Sequence, residues 1–247
     1  MDFSWTPEQL AYKQRVIDFA QTLNDDFIER ERNGTFSKEL WQQCAQFGVL
    51  GLAMPRQYGG SEAGIYETIL AMEGLGYGWR DIGIIFGMNA QLWSVQMPIL
   101  SHGTPQQKQD YLPPMIRGDL IGAHAMSEPD SGSDAYSMKS TAVRSGDGYI
   151  LNGSKTYITS GPVADFYVVF ANAAPEKGMW GVTAFLLDRN TPGLDVHPVI
   201  DKMGLRTIPM GSFDMHDCYL PSEKRLGPEG AGAQIFAGSM EWERSCI

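Results

Sequence analysis

The feature that most constrains this chain is a change of hydrophobic period close to Gly118. Before it, apolar residues recur every three or four positions; after it, short β-branched and aromatic runs alternate with turn formers. Thr6-Pro7-Glu8-Gln9 pairs a capping threonine with a glutamine three residues on and puts proline at the first helical position. Val16, Ala20, Leu23 and Phe27 come next at helical spacing. A second helix is predicted to open at Ser37, bury Leu40, Trp41, Cys44 and Phe47, and close at Gly48. A third, from about Ser61 to Leu75, presents Tyr66, Ile69, Leu70 and Leu75. Asp81 to Leu100 is long and almost uncharged, which suits a helix buried on most sides. Thr104-Pro105-Gln106-Gln107 repeats the capping box, and Pro113-Pro114 is expected to disrupt the chain beyond it. Gly74-Leu75-Gly76-Tyr77-Gly78 has no strand before it, so it reads as a closely packed helix end and not as a phosphate loop.

The second half predicts strands over Thr141–Arg144, Tyr149–Leu151, Tyr167–Phe170 and Val182–Leu187. Turn formers separate them: Ser145 to Gly148, Thr191-Pro192-Gly193, and Asn152-Gly153, which is expected to make a hairpin turn. Helices first and strands second imply an α+β chain in separate layers. The expected division is an all-α domain over 1–118, an all-β, barrel-like domain over 119–228, and the start of a further helical domain over 229–247. That last helix carries Ile235, Phe236, Met240 and Ile247. It reaches the end of the sequence without a capping signal, so a truncated chain, a proteolytic fragment or a chain that needs a partner is expected.

Charge and composition remove several function classes. The net charge of -10, with no Lys/Arg cluster, opposes non-specific nucleic-acid binding. Any phosphate would need a local site of backbone N–H groups. No apolar run approaches the length of a membrane span. Met1-Asp2-Phe3-Ser4-Trp5 lacks the basic and apolar regions of a secretory leader. Cys44, Cys218 and Cys246 form no CxxC and cannot all pair, which fits a reducing compartment, and a cytoplasmic protein is expected. His102, His124, His197 and His216 have no metal-ligand spacing, so no metal is expected; no G-x-S-x-G elbow occurs.

Two segments carry the chemistry. In Gly122-Ala123-His124-Ala125-Met126-Ser127-Glu128-Pro129-Asp130-Ser131-Gly132-Ser133-Asp134, small and hydroxylated residues let backbone N–H groups approach a ligand closely. On composition alone this is also what a solvated loop looks like. In Leu151-Asn152-Gly153-Ser154-Lys155-Thr156-Tyr157-Ile158-Thr159-Ser160-Gly161, the Tyr157 ring could cover a flat cofactor or serve as one more core aromatic. The order and spacing of the two resemble acyl-CoA dehydrogenases, which carry a TEP-x-x-GSD-like loop and then GD-x-Y-x-LNG-x-K-x-[WY]-I-T-[NS]. Met203-Gly204-Leu205-Arg206 and Leu220-Pro221 with Leu226-Gly227 are similar to further elements of that family. Ser127 stands where threonine is commoner and Tyr157 where tryptophan is; Asp130 introduces a carboxylate with no evident role.

The resemblance implies FAD as cofactor, held by Met126, Ser127, Gly132, Ser133, Tyr157, Ile158 and Thr159, with Ser133 also bordering the acyl group. It implies oxidation of the Cα–Cβ bond of an acyl thioester, on coenzyme A or a carrier protein. A glutamate takes the α-proton while hydride passes to the flavin. The family places that base either in a C-terminal helical bundle, absent here beyond its first turns, or just before an arginine on the helix that opens it. Glu243-Arg244 matches the second place, with Glu241 as a near rival and Arg244 as a substrate contact; a surface glutamate is the commoner role for a helical carboxylate. Met240-Glu241-Trp242-Glu243-Arg244-Ser245-Cys246 is also similar to relatives that oxidise prolyl groups on a peptidyl carrier protein. Family analogy offers Phe86, Asn89 and Leu92 as acyl-pocket residues, although such residues are usually core. A flavin oxidase of the same fold and a non-catalytic acyl-thioester-binding subunit remain alternatives. An electron-accepting flavoprotein and a homodimer or homotetramer are the implied protein partners.

Overall fold

The computed structural model describes residues 4–24 and 26–247; Met1 to Phe3, part of the stretch that lacks the marks of a leader, and Asp25 lie outside the described residues. The helical part comprises α1 (Pro7–Ala20), α2 (Phe27–Asn33), α3 (Lys38–Phe47), α4 (Ile65–Gly78), α5 (Ile82–Gln91), α6 (Met97–His102) and α7 (Pro105–Ile116). Both capping boxes form: the Gln9 N–H donates to Thr6 Oγ1 at 3.2 Å and the Gln107 N–H to Thr104 Oγ1 at 3.1 Å. Ser37 caps α3, and Gly48 ends it in the left-handed region at φ 103°.

Several expectations need correction here. Phe47 is half-exposed, stacked on Phe19 at 4.0 Å, and does not join Leu40, Trp41 and Cys44 in the core. The third helix begins at Ile65 and not at Ser61, because the N–H groups of Ser61, Glu62 and Ala63 are taken by carbonyls of Gly51, Met54 and Leu52. Pro113-Pro114 lie inside α7, whose last turn closes at Ile116. The carbonyls of Gln109 and Asp110, which lose their helical donors there, belong to exposed residues that water can serve. The glycine-rich end of α4 packs on α1: a Cβ at Gly78 would lie 2.6 Å from that of Ala20. The long uncharged helix is α5 and α6 joined by a π turn, Leu92–Gln96.

The strands are β1 (Gly122–Ala125), β2 (Thr141–Ser145), β3 (Gly148–Thr159), β4 (Phe166–Asn172), β5 (Val182–Asp188), β6 (Leu194–Val196), β7 (Met210–Pro221) and β8 (Arg225–Leu226). They form one sheet in the order β6-β7-β3-β2-β4-β5-β8, with β1 parallel on β4. The sheet is open, not barrel-like. β2 meets β4 only at Thr141 and Asn172, because β1 occupies the same edge of β4 along Phe166–Val169. The two halves joined at this point face each other across Tyr149, Leu151, Tyr167, Phe185 and Phe213. The opposite face of β4 and β5, with Phe166, Val168, Phe170, Ala184 and Leu186, packs on helices. Burial on both faces explains why β4 and β5 read as continuous apolar runs.

Asn152-Gly153 makes no hairpin. It sits inside β3 as a bulge against β7, with Gly153 at φ 139° and the Asn152 amide bonded to Asp217. A Cβ at Gly153 would lie 2.7 Å from the Ser140 Cα, so close backbone approach, not a turn, explains the glycine. The last helix, α8 (Gly232–Cys246), packs against the π turn, α6 and β5. No helix among the described residues is long and apolar enough to cross a membrane.

Candidate active site

β1 with its adjoining loop, the end of β3, the π turn and α8 converge on a cavity of about 220 Å³. Of the seven residues proposed to hold a cofactor, Met126, Ser127, Gly132, Tyr157, Ile158 and Thr159 line it. Ser133 is exposed and lies off its wall. Glu243 shares the cavity, whereas Arg244 and Glu241 are exposed away from it, Glu241 in a smaller depression beside His102 and Trp242. Phe86, Asn89 and Leu92 do not reach the wall. Asn89 is buried and accepts from Trp93 Nε1 at 3.1 Å, and Leu92 is core. The residues this helix presents are Ala90, Ser94 and Val95, because the π turn adds a residue and rotates the helix face beyond it.

A second bulge in β3, between Lys155 and Ile158, sets Tyr157 at φ 57° and turns its ring outward, 65% exposed, at the cavity's mouth. Tyr157 is therefore not a core aromatic. Thr156 N–H donates to the Ser127 carbonyl at 3.0 Å, which ties the loop to the strand. Beneath them lies a buried ion pair that joins the glutamate of the first motif to the lysine of the second, a pairing the sequence does not show. Lys155 Nζ donates to Glu128 Oε1 at 2.8 Å and to the Met126 carbonyl at 3.1 Å. Glu128 also accepts N–H bonds from Lys139 at 2.6 Å and Ser140 at 3.1 Å. Burial opposes ionisation of Glu128, but Lys155 and these donors outweigh it and hold the carboxyl below its ordinary range. Asp130, unexplained in the sequence, pairs with Lys139 at the surface.

His124 packs against the rings of Phe170 and Phe236, at 5.2 Å and 5.8 Å. Burial, then the charge of Lys155, pushes its imidazole down to about 4, so it is neutral at physiological pH. Burial raises the Glu243 carboxyl, opposed by Ser94 and Arg244. Trp242 stacks on the buried Trp93 at 5.4 Å with the planes 6° apart, which seats α8 on the π turn.

The lining suits a flat heterocycle. Val95, Met126, Ile158 and Phe236 give an apolar wall, Ser127 and Thr159 offer hydroxyls, and Tyr157 offers a ring face. Two buried polar atoms at this wall lack a hydrogen-bond partner: His124 Nε2, the condition a ligand's polar edge would relieve, and Ser94 Oγ, which lies close enough to act on the Glu243 carboxyl. Among the described residues, no group of three or more His, Cys, Asp or Glu could hold a metal ion.

Residues 6–119 match the acyl-CoA dehydrogenase N-terminal domain and residues 123–218 the middle domain. The chain belongs to the acyl-CoA dehydrogenase family. It is 40% identical over its whole length to 64% of an L-prolyl-[peptidyl-carrier protein] dehydrogenase of Serratia sp.. With the isovaleryl-CoA dehydrogenase of Pongo abelii the identity is 37%, over 96% of this chain and 57% of that protein. Among solved structures, the prolyl acyl carrier protein oxidase AnaB superposes with a TM-score of 0.96 at 45% identity, over 98% of this chain and 65% of that one. The chain thus spans somewhat less than two thirds of these relatives' length.

Proposed function

We propose that this chain supplies the flavin-facing part of an enzyme that uses FAD to oxidise the Cα–Cβ bond of an acyl thioester. The observation that carries the reading is the cavity that Glu243 shares with Met126, Ser127, Gly132, Tyr157, Ile158 and Thr159. Bound FAD supplies the hydride acceptor. The chain's residues do the rest. Ser127, Thr159 and neighbouring backbone groups hold the heterocycle's polar edge, and Tyr157 covers a face. Glu243 removes the α-proton from a partly desolvated position, where burial makes it a stronger base than a surface carboxylate. Val95, Phe236 and Met240 keep water from the reacting carbons.

Glu243→Gln tests the assignment in the intact protein. It should still bind FAD and substrate, yet bleach the flavin roughly a hundred- to ten-thousand-fold more slowly; unchanged bleaching refutes the base. Fast reaction of the reduced, product-bound protein with oxygen would instead favour an oxidase.

A second, narrower reading is oxidation of a prolyl group on a peptidyl carrier protein. It is favoured by the 40% and 38% identities to L-prolyl-[peptidyl-carrier protein] dehydrogenases. Turnover of prolyl-carrier protein but not of isovaleryl-CoA would establish it. With this reading go a cytoplasmic location, an electron-accepting flavoprotein partner, Ser133 and Arg244 as substrate contacts, and a homodimer or homotetramer.

A further inference from the structure

The two unpartnered polar atoms at the cavity differ in what faces them. His124 lies among the rings of Phe170 and Phe236, whereas Ser94 shares the cavity lining with Glu243 and acts on its carboxyl. Ser94 is 1% exposed and occupies the middle of the π turn Leu92–Gln96. A serine inside a helix commonly spends its hydroxyl on a carbonyl of the preceding turn, but Ser94 makes no such bond. π turns re-aim the residues after them and recur at functional sites. The stacked Trp93 and Trp242 fix the π turn and α8 against each other. Ser94 and Glu243 are the next residues along each helix, so the stack carries both to the same cavity.

We propose that Ser94 is a positioning residue for Glu243: its hydroxyl donates to one carboxylate oxygen and turns the other toward the cavity. This rests on the reading of Glu243 as the base. Ser94 keeps its own proton throughout, while the α-proton is received by the free carboxylate oxygen. The effect on proton affinity has the matching sign, since Ser94 counters the burial that raises the Glu243 carboxyl. Few other charges compete. Ile82–Ser101 carries no charged side chain, and β5 none before Asp188. The segment packed on the start of α8 holds Glu176 and Lys177, at the far end of the helix from Glu243. Across the cavity stand Tyr157 and His124, the imidazole neutral. On α8 itself the other charges are Arg244 and Glu241, and Glu241 faces a separate depression with His102 of α6.

The test is an infrared titration of the Glu243 carboxyl in the intact, substrate-free protein, with Glu243→Gln as the blank, beside the pH profile of flavin bleaching. Ser94→Ala should raise the carboxyl titration by about one pH unit and move the acid limb of the profile the same way. Ser94→Thr, which keeps the hydroxyl, should leave both near their original values. An unmoved titration in Ser94→Ala, or equal shifts in the two variants, overturns the proposal. The titration does not depend on turnover. If Glu243→Gln bleaches the flavin normally, the base reading fails while the Ser94–Glu243 coupling is still measured.

Discussion

Lys155 holds the cavity loop from below, with its ammonium fully buried between the Glu128 carboxylate and the Met126 carbonyl. Lys155→Met leaves Glu128 charged, buried and short of its partner, a change that costs about 3–5 kcal/mol. Chemical denaturation should show that loss, and adding Glu128→Gln should restore part of it, because the amide oxygen can still accept from Ser140 and Lys139. His124 gives a pH dependence with a definite sign. Unfolded, it takes up its proton near 6.5; folded, burial delays uptake to about 4, so its contribution is intact above 6.5 and is lost as pH falls toward 4. Near pH 4 the loss approaches roughly 2–3 kcal/mol. His124→Gln should flatten the stability profile between these values relative to the parent, as denaturation midpoints taken across the window would show. Residues at this scale were legible where a motif's spacing named them, as with Ser127 and Tyr157. Ser94 and His124 were not, and Glu128 and Lys155 were legible as motif positions but not as a pair, because burial and pairing are properties of the packed chain.

Elements were legible where their signals are local. Thr6 and Thr104 need only a glutamine three residues on to close a capping box, and Gly48 needs only its own left-handed backbone. Where the outcome depends on a distant strand or helix, the local signal misled. Asn152-Gly153 has the composition of a turn, yet β7 on one side and Ser140 on the other hold it straight as a bulge. The π turn had no signature either, since widening one turn depends on what packs against it. α8 is the element most exposed to such context, for the Trp93–Trp242 stack is a principal anchor of its second half. Trp242→Ala should cost about 2 kcal/mol and raise amide exchange over residues 242–246. It should also let water reach Glu243, so its carboxyl titration falls toward the ordinary range because burial is what lifts it. That shift is opposite in direction to the one expected of Ser94→Ala.

At the scale of the molecule, two layers were foreseeable from the change of period at Gly118, but not how they lock together. The lock is built from charges buried between α2, α5 and the segment before β7. Asp81 caps α5 by accepting the Ile84 N–H at 3.1 Å, pairs with Arg30 of α2, and accepts from Thr207 Oγ1 at 2.5 Å. Around it, the Arg206 N–H donates to Glu31 at 2.8 Å, and the Arg206 guanidinium reaches the Glu31 carbonyl at 3.0 Å. Asp81 is wholly buried and Arg30 nearly so, so removing the carboxylate leaves the cation with Asp26, at 2.6 Å and partly exposed, but without its interior partner. Asp81→Ala should therefore cost about 3–5 kcal/mol, well beyond the roughly 1 kcal/mol of a lost helix cap. Asp81→Asn separates the two contributions: it keeps an acceptor for Ile84 and Thr207 but loses the charge facing Arg30. If the lock is electrostatic, Asp81→Asn should lose most of the stability that Asp81→Ala loses. Amide exchange should then quicken over residues 204–208 as well as at the start of α5. Exchange confined to α5 would mean that Asp81 is a cap alone, and that the layers are held by apolar contacts such as Ile208 against Gly87.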